Sequence, residues 1–189
     1  MVSLKRLKIF LIGFSGSGKT TVGAKLAKKM RLAYFDTDDM IERRAGQHIA
    51  DIFARSGERR FRRLESEMIE RICSHDVPPC VVALGGGAFG SSANRKRLLR
   101  SGIVIYLSAS VRAIYRRLEA QTDRPLLKVR PRANETLRQA RLARISSLLQ
   151  KRKPNYGRAH IRCSTTEKPT TQIVNELIRQ IRRHVAHNC

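Results

Sequence analysis

Leu11–Gly23, LIGFSGSGKTTVG, is the stretch that decides the fold of this 189-residue chain. It contains Gly13-x-x-x-x-Gly18-Lys19-Thr20. A short apolar run, KIFLIG (Lys8–Gly13), precedes it, and a segment with Val22, Leu26 and Ala27 on one helical face follows. A strand ending in glycine, a glycine-rich loop and a helix N-terminus together point backbone N–H groups at a phosphate. Lys19 then reaches the β- and γ-phosphates, and the Thr20 hydroxyl is placed for Mg²⁺. Gly13, Ser15, Gly16, Ser17, Gly18, Lys19, Thr20 and Thr21 are therefore expected to hold ATP. The motif leaves the acceptor open: water, a small molecule, another nucleotide or none.

The rest of the chain alternates short apolar runs with helical segments, without repeats or low-complexity linkers. LAYFD, ending at Asp36, CVVAL (Cys80–Leu84) and GIVIYL (Gly102–Leu107) read as buried strands, and AHIRC as a weaker fifth. Helices are expected over about 39–45, over 49–73 with a break at Ser56-Gly57, over 92–100, from Ser110 as N-cap to about 120, and over 171–184. This alternation predicts an α/β fold, a parallel sheet covered on both faces. The length suits one domain spanning 1–189. Ligands of such sheets gather at the carboxyl ends of the strands. There lie Gly13–Gly18, Asp36–Asp38 and Gly85–Gly87. Gln121–Thr136, with Pro125, Pro131 and four cations, is too long for an ordinary connection between helices and reads as a lid.

Composition narrows the setting. A hydrophobic fraction of 41% is ordinary for a soluble globular chain, and the apolar run Ile9–Ile12 is too short to span a membrane. MVSLKRLK lacks the apolar core of a signal peptide, so the expected address is cytoplasmic. Cys73, Cys80, Cys163 and Cys189 are scattered and read as reduced thiols. His184 and His187 near Cys189 read as a solvated tail and not a metal site. The formal net charge of +24 attracts anions without choosing among them.

Three further stretches look chemical. In DTDDMIE, Asp36 is placed to hold Mg²⁺ through water and Asp38 to accept a hydrogen bond from an acceptor hydroxyl. Helix capping by Thr37 or Asp38 accounts for the same acids. In GERRFRRLE (Gly57–Glu65), Phe61 and Leu64 mark the buried side and Arg62 lies at its boundary. An arginine there grips a carboxylate with its planar fork, and Glu58 or Glu65 can orient it. In LGGGAFG, the glycines Gly85, Gly86 and Gly87 permit close approach to backbone or a turn with positive φ.

Taken together, these motifs resemble those of shikimate kinases. The resemblance runs from GFSGSGKTTVG through FDTDDMIE, IADIFARSGERRFRRLE, ALGGGA, DRPLL and KRKPNY, and covers about Lys8 to His184. It implies a P-loop kinase fold in three α/β/α layers around a five-stranded parallel sheet of order 2-3-1-4-5. It also implies an acceptor-binding region at about 36–65 and transfer of the ATP γ-phosphate to the 3-hydroxyl of shikimate. By the same resemblance Asp38 contacts the reacting diol as base or orienting group, and Arg62 and Arg152 grip the carboxylate. Gly85, Gly86 and Gly87 line the pocket and Ile49 and Phe53 wall it. Arg124 in the lid reaches the phosphates, and Arg117 packs on adenine with the Lys168–Thr170 turn, including Pro169, as its partner. Catalysis is expected from Lys19, Asp38 and Arg124, and metal binding from Thr20 and Asp36.

A monomer is expected. The family does not require the +24 charge, and Arg124–Arg162 alone holds 12 Lys and Arg against Glu135. A solvated face drawing in anionic substrates is its plainest reading. One alternative is a kinase of the same architecture acting on another small molecule such as gluconate. Another is a nucleic-acid-binding protein with a regulatory nucleotide site. No basic strand interleaved with aromatics supports the latter, so nucleic acid is not an expected partner.

Overall fold

The computed structural model describes residues 7–119, 129–131 and 133–187. Five strands, β1 (Lys8–Ile12), β2 (Ala33–Asp36), β3 (Cys80–Ala83), β4 (Ile103–Ser108) and β5 (Ile161–Ser164), form one sheet. Every pairing is parallel and the order is β2-β3-β1-β4-β5, as the resemblance implied. The helices are α1 (Lys19–Met30), α2 (Thr37–Ala45), α3 (Ile49–Cys73), α4 (Ser92–Ser101), α5 (Val111–Glu119), α6 (Leu137–Tyr156) and α7 (Thr170–His187).

The period-2 geometry of β1 explains the three layers. Ile9 and Leu11 pack with Leu26 of α1 and Ile173 and Leu177 of α7 on one face. Phe10 and Ile12 pack with Ile69 and Ile72 of α3 and Leu98 of α4 on the other. All five β1 residues are buried, and each large apolar side chain so removed from water contributes about 1.5–3 kcal/mol. Only a strand at the sheet centre reads as a continuous apolar run; the edge strand β5 alternates buried and exposed.

Two smaller clusters carry the ligand-facing parts. Phe14, Ile114, Leu118 and Ile145 join the phosphate loop to α5 and α6. Ile41, Ile52, Phe61 and Leu64 join α2 to α3. The expected break in α3 falls at Gly57, whose φ of 74° and ψ of 172° interrupt the helix. Ser110 caps α5 as expected, its Oγ accepting from the Ala113 N–H at 3.2 Å. Thr136 caps α6 in a reciprocal box with Gln139. Among the described residues no helix is long and apolar enough to cross a membrane. Cys73, Cys80 and Cys163 are free thiols, and burial pushes those of Cys80 and Cys163 up to about 11.

Candidate active site

The phosphate loop turns where β1 ends. Gly13, Gly16 and Gly18 hold φ of 148°, 78° and 95°, values that a side chain would strain. At Gly13 a Cβ would also stand 2.5 Å from the Leu107 carbonyl oxygen of β4, so the loop lies against the sheet because no side chain separates them. The Lys19 ammonium donates to the carbonyls of Gly13 and Phe14, each at 3.1 Å. It thus lies over the loop, where phosphate oxygens would compete for it.

A brace from β5, which sequence reasoning missed, fixes the other side of the loop. Thr165 is buried, and its hydroxyl donates to the Ser17 carbonyl at 3.0 Å. Arg117 donates to Gly16 O and to Thr165 Oγ1, each at 3.1 Å, and to the Thr165 carbonyl at 2.5 Å. Burial and neighbouring Arg116 pull the Arg117 pKa down. In the Lys168–Thr170 turn, the Lys168 ammonium pairs with Glu176 at 2.7 Å, and the Pro169 carbonyl starts α7 by accepting from Ile173. No local motif announces Thr165; its contact with the loop spans 148 positions.

At the end of β2, Asp36 has two tasks. Its Oδ1 accepts from the Asp38 N–H at 3.1 Å, so Asp36 is the N-cap of α2, displacing the expected Thr37 or Asp38. Its Oδ2 accepts from the Thr20 hydroxyl at 3.0 Å. Thr20 and Asp36, the expected metal pair, therefore adjoin, and their all-oxygen, hard donor set fits Mg²⁺ completed by phosphates and water. Thr37 is buried and structural. Its hydroxyl donates to Ala83 O at 3.3 Å and accepts from the Gly85 N–H at 2.9 Å, holding the glycine turn to β2.

That turn gathers the side chains expected to bind the acceptor. A Cβ on Gly85 would stand 2.9 Å from Asp38 Oδ1 and 2.8 Å from Glu65 Oε1. On Gly86 it would meet Arg152 Nη1 at 3.3 Å, and on Gly87 it would meet Arg62 Nη1 at 2.7 Å. None of the three has a positive φ. The glycines therefore serve close approach and not a left-handed turn. Arg152 Nη1 and the Tyr156 hydroxyl both donate to the Gly86 carbonyl, at 3.0 and 2.8 Å. Arg62 and Arg152, 90 positions apart in the chain, line one cavity of about 370 Å³ with Glu65, Gly86, Gly87 and Tyr156.

Both carboxylates offered as orienters of Arg62 take part. Glu58 Oε1 accepts from Nε and Nη2 at 3.2 and 3.0 Å, and Glu65 Oε2 accepts from Nη1 at 2.9 Å. Glu65 is 2% exposed, and its Oε1 has no hydrogen-bond partner among the described residues. Burial lifts the Glu65 carboxyl above its ordinary value even beside Arg62 and Arg152. Ile49 is half-buried near α2, its N–H donating to Glu42. Phe53 is exposed, its ring centroid 4.8 Å from that of Phe61. Arg124 and most of the expected lid lie outside the described residues.

A glycine loop with its lysine, a hydroxyl–carboxylate pair beside it, and an arginine-lined acceptor cavity at the same edge of a parallel sheet define a phosphate-loop kinase of small molecules. Comparison with known proteins narrows the class. The shikimate kinase family model matches residues 15–182. Shikimate kinase of Chlorobaculum parvum is 41% identical over 177 residues, covering 94% of this chain and 93% of that one. That of Persephonella marina is 40% identical over 174 residues, covering 92% and 98%. Among solved structures, the shikimate kinase from Acinetobacter baumannii in complex with shikimate matches with a TM-score of 0.83 and 32% identity over 95% of both chains. The chain belongs to the shikimate kinase family. A gluconokinase from Sinorhizobium meliloti, at 17% identity and a TM-score of 0.58, shares the fold alone.

Proposed function

We propose that this protein transfers the γ-phosphate of ATP to the 3-hydroxyl of shikimate, giving shikimate 3-phosphate and ADP. The observation that carries this reading is the convergence of Asp38, Arg62 and Arg152 on the glycine turn Gly85–Gly87, beside the phosphate loop. Two guanidiniums and the Asp38 carboxylate around one glycine turn suit a ligand with a carboxylate at one end and hydroxyls at the other.

Phosphoryl transfer depends on positioning and charge neutralisation more than on covalent help. In this reading Arg62 and Arg152 fix the shikimate carboxylate, and Ile49 and Phe53 wall the ring. Asp38 accepts the hydrogen bond of the reacting hydroxyl, aims its oxygen at the γ-phosphorus and takes its proton. The bond to the bridging oxygen of ADP breaks as the new P–O bond forms. In a loose transition state little charge builds on the attacking oxygen early, so orientation is the larger contribution of Asp38. Lys19, and Arg124 from the lid at about 121–136, neutralise charge on the phosphoryl oxygens. Arg117 and Pro169 flank the adenine. Thr20 and Asp36 would hold Mg²⁺, which when bound would supply further neutralisation of phosphate charge. The same reading takes 1–189 as one kinase domain, with 36–65 as its acceptor region, working as a cytoplasmic monomer.

The test is ADP release coupled to a reporter over a panel of hydroxy acids that includes shikimate and gluconate. Turnover with shikimate alone is expected, and turnover with gluconate but not shikimate would refute the assignment. Asp38→Asn is expected to abolish most turnover while ATP affinity stays near wild type; an equal fall in both would move Asp38 to the metal site.

A further inference from the structure

A second cavity, of about 560 Å³, shares Tyr156 with the first. It lies between α6 and the outer strands β4 and β5, and its walls belong neither to the phosphate loop nor to the acceptor arginines. Sheet register creates it. Tyr106 pairs with Arg162 across β4 and β5, so both project from one face. That face is covered over β1 and β3, but at β5 Arg162 and Ser164 remain exposed.

The lining has a definite chemistry. Arg162 and Lys153 supply two cations, and among the described residues no Asp or Glu lines the cavity. The Arg162 guanidinium lies 5.7 Å from the Tyr106 ring centroid. Tyr106 in turn stacks on Tyr156, centroids 4.8 Å apart and planes at 26°. Val111 and Leu149 add apolar wall. Unopposed cations above an aromatic and aliphatic floor suit an anion carried on a flat apolar body.

Tyr156 belongs to both cavities. Its ring floors this one, while its hydroxyl donates at 2.8 Å to the Gly86 carbonyl, which Arg152 also binds. Displacing the ring therefore disturbs the oxygen that positions an acceptor-site arginine. We propose that the groove between α6 and β5 is a second ligand site, for small aromatic carboxylates, and that its occupancy alters acceptor affinity through Tyr156 and Gly86.

Benzoate is a suitable probe, with benzyl alcohol as its neutral control. Amide shifts of the isotope-labelled full chain are followed during titration with shikimate saturating, so that the acceptor arginines are occupied. Benzoate is expected to shift Tyr106, Leu149, Tyr156 and Arg162, and benzyl alcohol to bind at least tenfold more weakly. Joint Arg162→Gln and Lys153→Gln substitution is expected to weaken benzoate at least tenfold; either charge is on the surface, so folding is not at stake. Benzoate is also expected to change the KM for shikimate in wild type and to lose that effect in Tyr156→Phe. Shifts confined to residues around Arg62, or equal benzoate affinity in the glutamine variant, would overturn the site. A KM for shikimate unmoved by benzoate at occupancy would overturn the coupling.

Discussion

Replacing Gly87 by alanine pushes a methyl group into the Arg62 guanidinium. The new Cβ would stand 2.7 Å from Nη1, 2.9 Å from Nη2 and 3.1 Å from Cζ. Ordinary contact begins near 3.4 Å, so the fork has to retreat by about 0.7 Å. The backbone does not resist, because Gly87 has φ −105° and ψ −13°, a conformation alanine adopts freely. What yields is the end of a flexible side chain, and with it the 2.9 Å bond to Glu65. Loss of one charge-assisted contact to the substrate carboxylate is worth roughly 1.5–3 kcal/mol, so shikimate affinity should fall about tenfold to a hundredfold. Thermal stability should move by no more than about 0.5 kcal/mol equivalent. Calorimetric titration with shikimate, alongside a melt, reads both. Gly90→Ala is the control, since its Cβ would meet nothing within 4 Å. Unchanged shikimate affinity in a folded Gly87→Ala variant would show that Arg62 does not hold the acceptor.

The other predictions probe neighbouring contacts. Lys19→Ala should lose nearly all turnover with an unchanged melt, since Lys19 bonds to loop carbonyls and not to the core; steady-state rates on the folded variant decide it. Glu65→Ala should raise the KM for shikimate severalfold with a smaller change in kcat, and Glu65→Gln should restore most of it, because the amide oxygen still accepts from Arg62; no difference between the two would remove Glu65 from the positioning of Arg62. His160 Nδ1 accepts the Val104 N–H at 3.0 Å, and burial together with nearby His184 holds its pKa below the ordinary 6.5. The folded state thus binds the proton less readily than the unfolded state, so stability is fully present above pH 6.5 and falls as pH drops through the lowered value. Urea midpoints between pH 8 and 5 should decline more in wild type than in His160→Asn, and parallel curves would refute this.

What could be read from residue order follows the range of the interactions. β1 and α1 were legible because their patterns are local, a continuous apolar run in β1 and one apolar face in α1. The kink at Gly57 and the Ser110 cap were legible for the same reason. α6 was expected only as a helix beyond the long connection, because its 20 residues bury little more than Ala140, Ile145 and Tyr156 and leave a faint periodicity. β5 was expected too early by two residues, since an edge strand with alternate exposure blurs its own ends. Arg62 and Arg152 were named only through family resemblance, as nothing in their spacing brings them together. The bonds that Thr37, Tyr156 and Thr165 make to the glycine turn and the phosphate loop escaped. Each residue acts through hydrogen bonds to groups distant in the chain, and such bonds leave no trace in composition or period.

The brace from Thr165 and Arg117 to the phosphate loop sets an order of events during synthesis. Residues 13–20 leave the ribosome well before Thr165 does. Their cradle, however, is closed by a threonine made about 145 residues later, at the end of the last strand. At roughly 5–20 residues per second, the loop waits on the order of ten seconds for its partner. A nascent chain therefore has the nucleotide motif long before it has the nucleotide site. Whatever part of the loop's shape rests on that brace has to wait until Thr165 has been made.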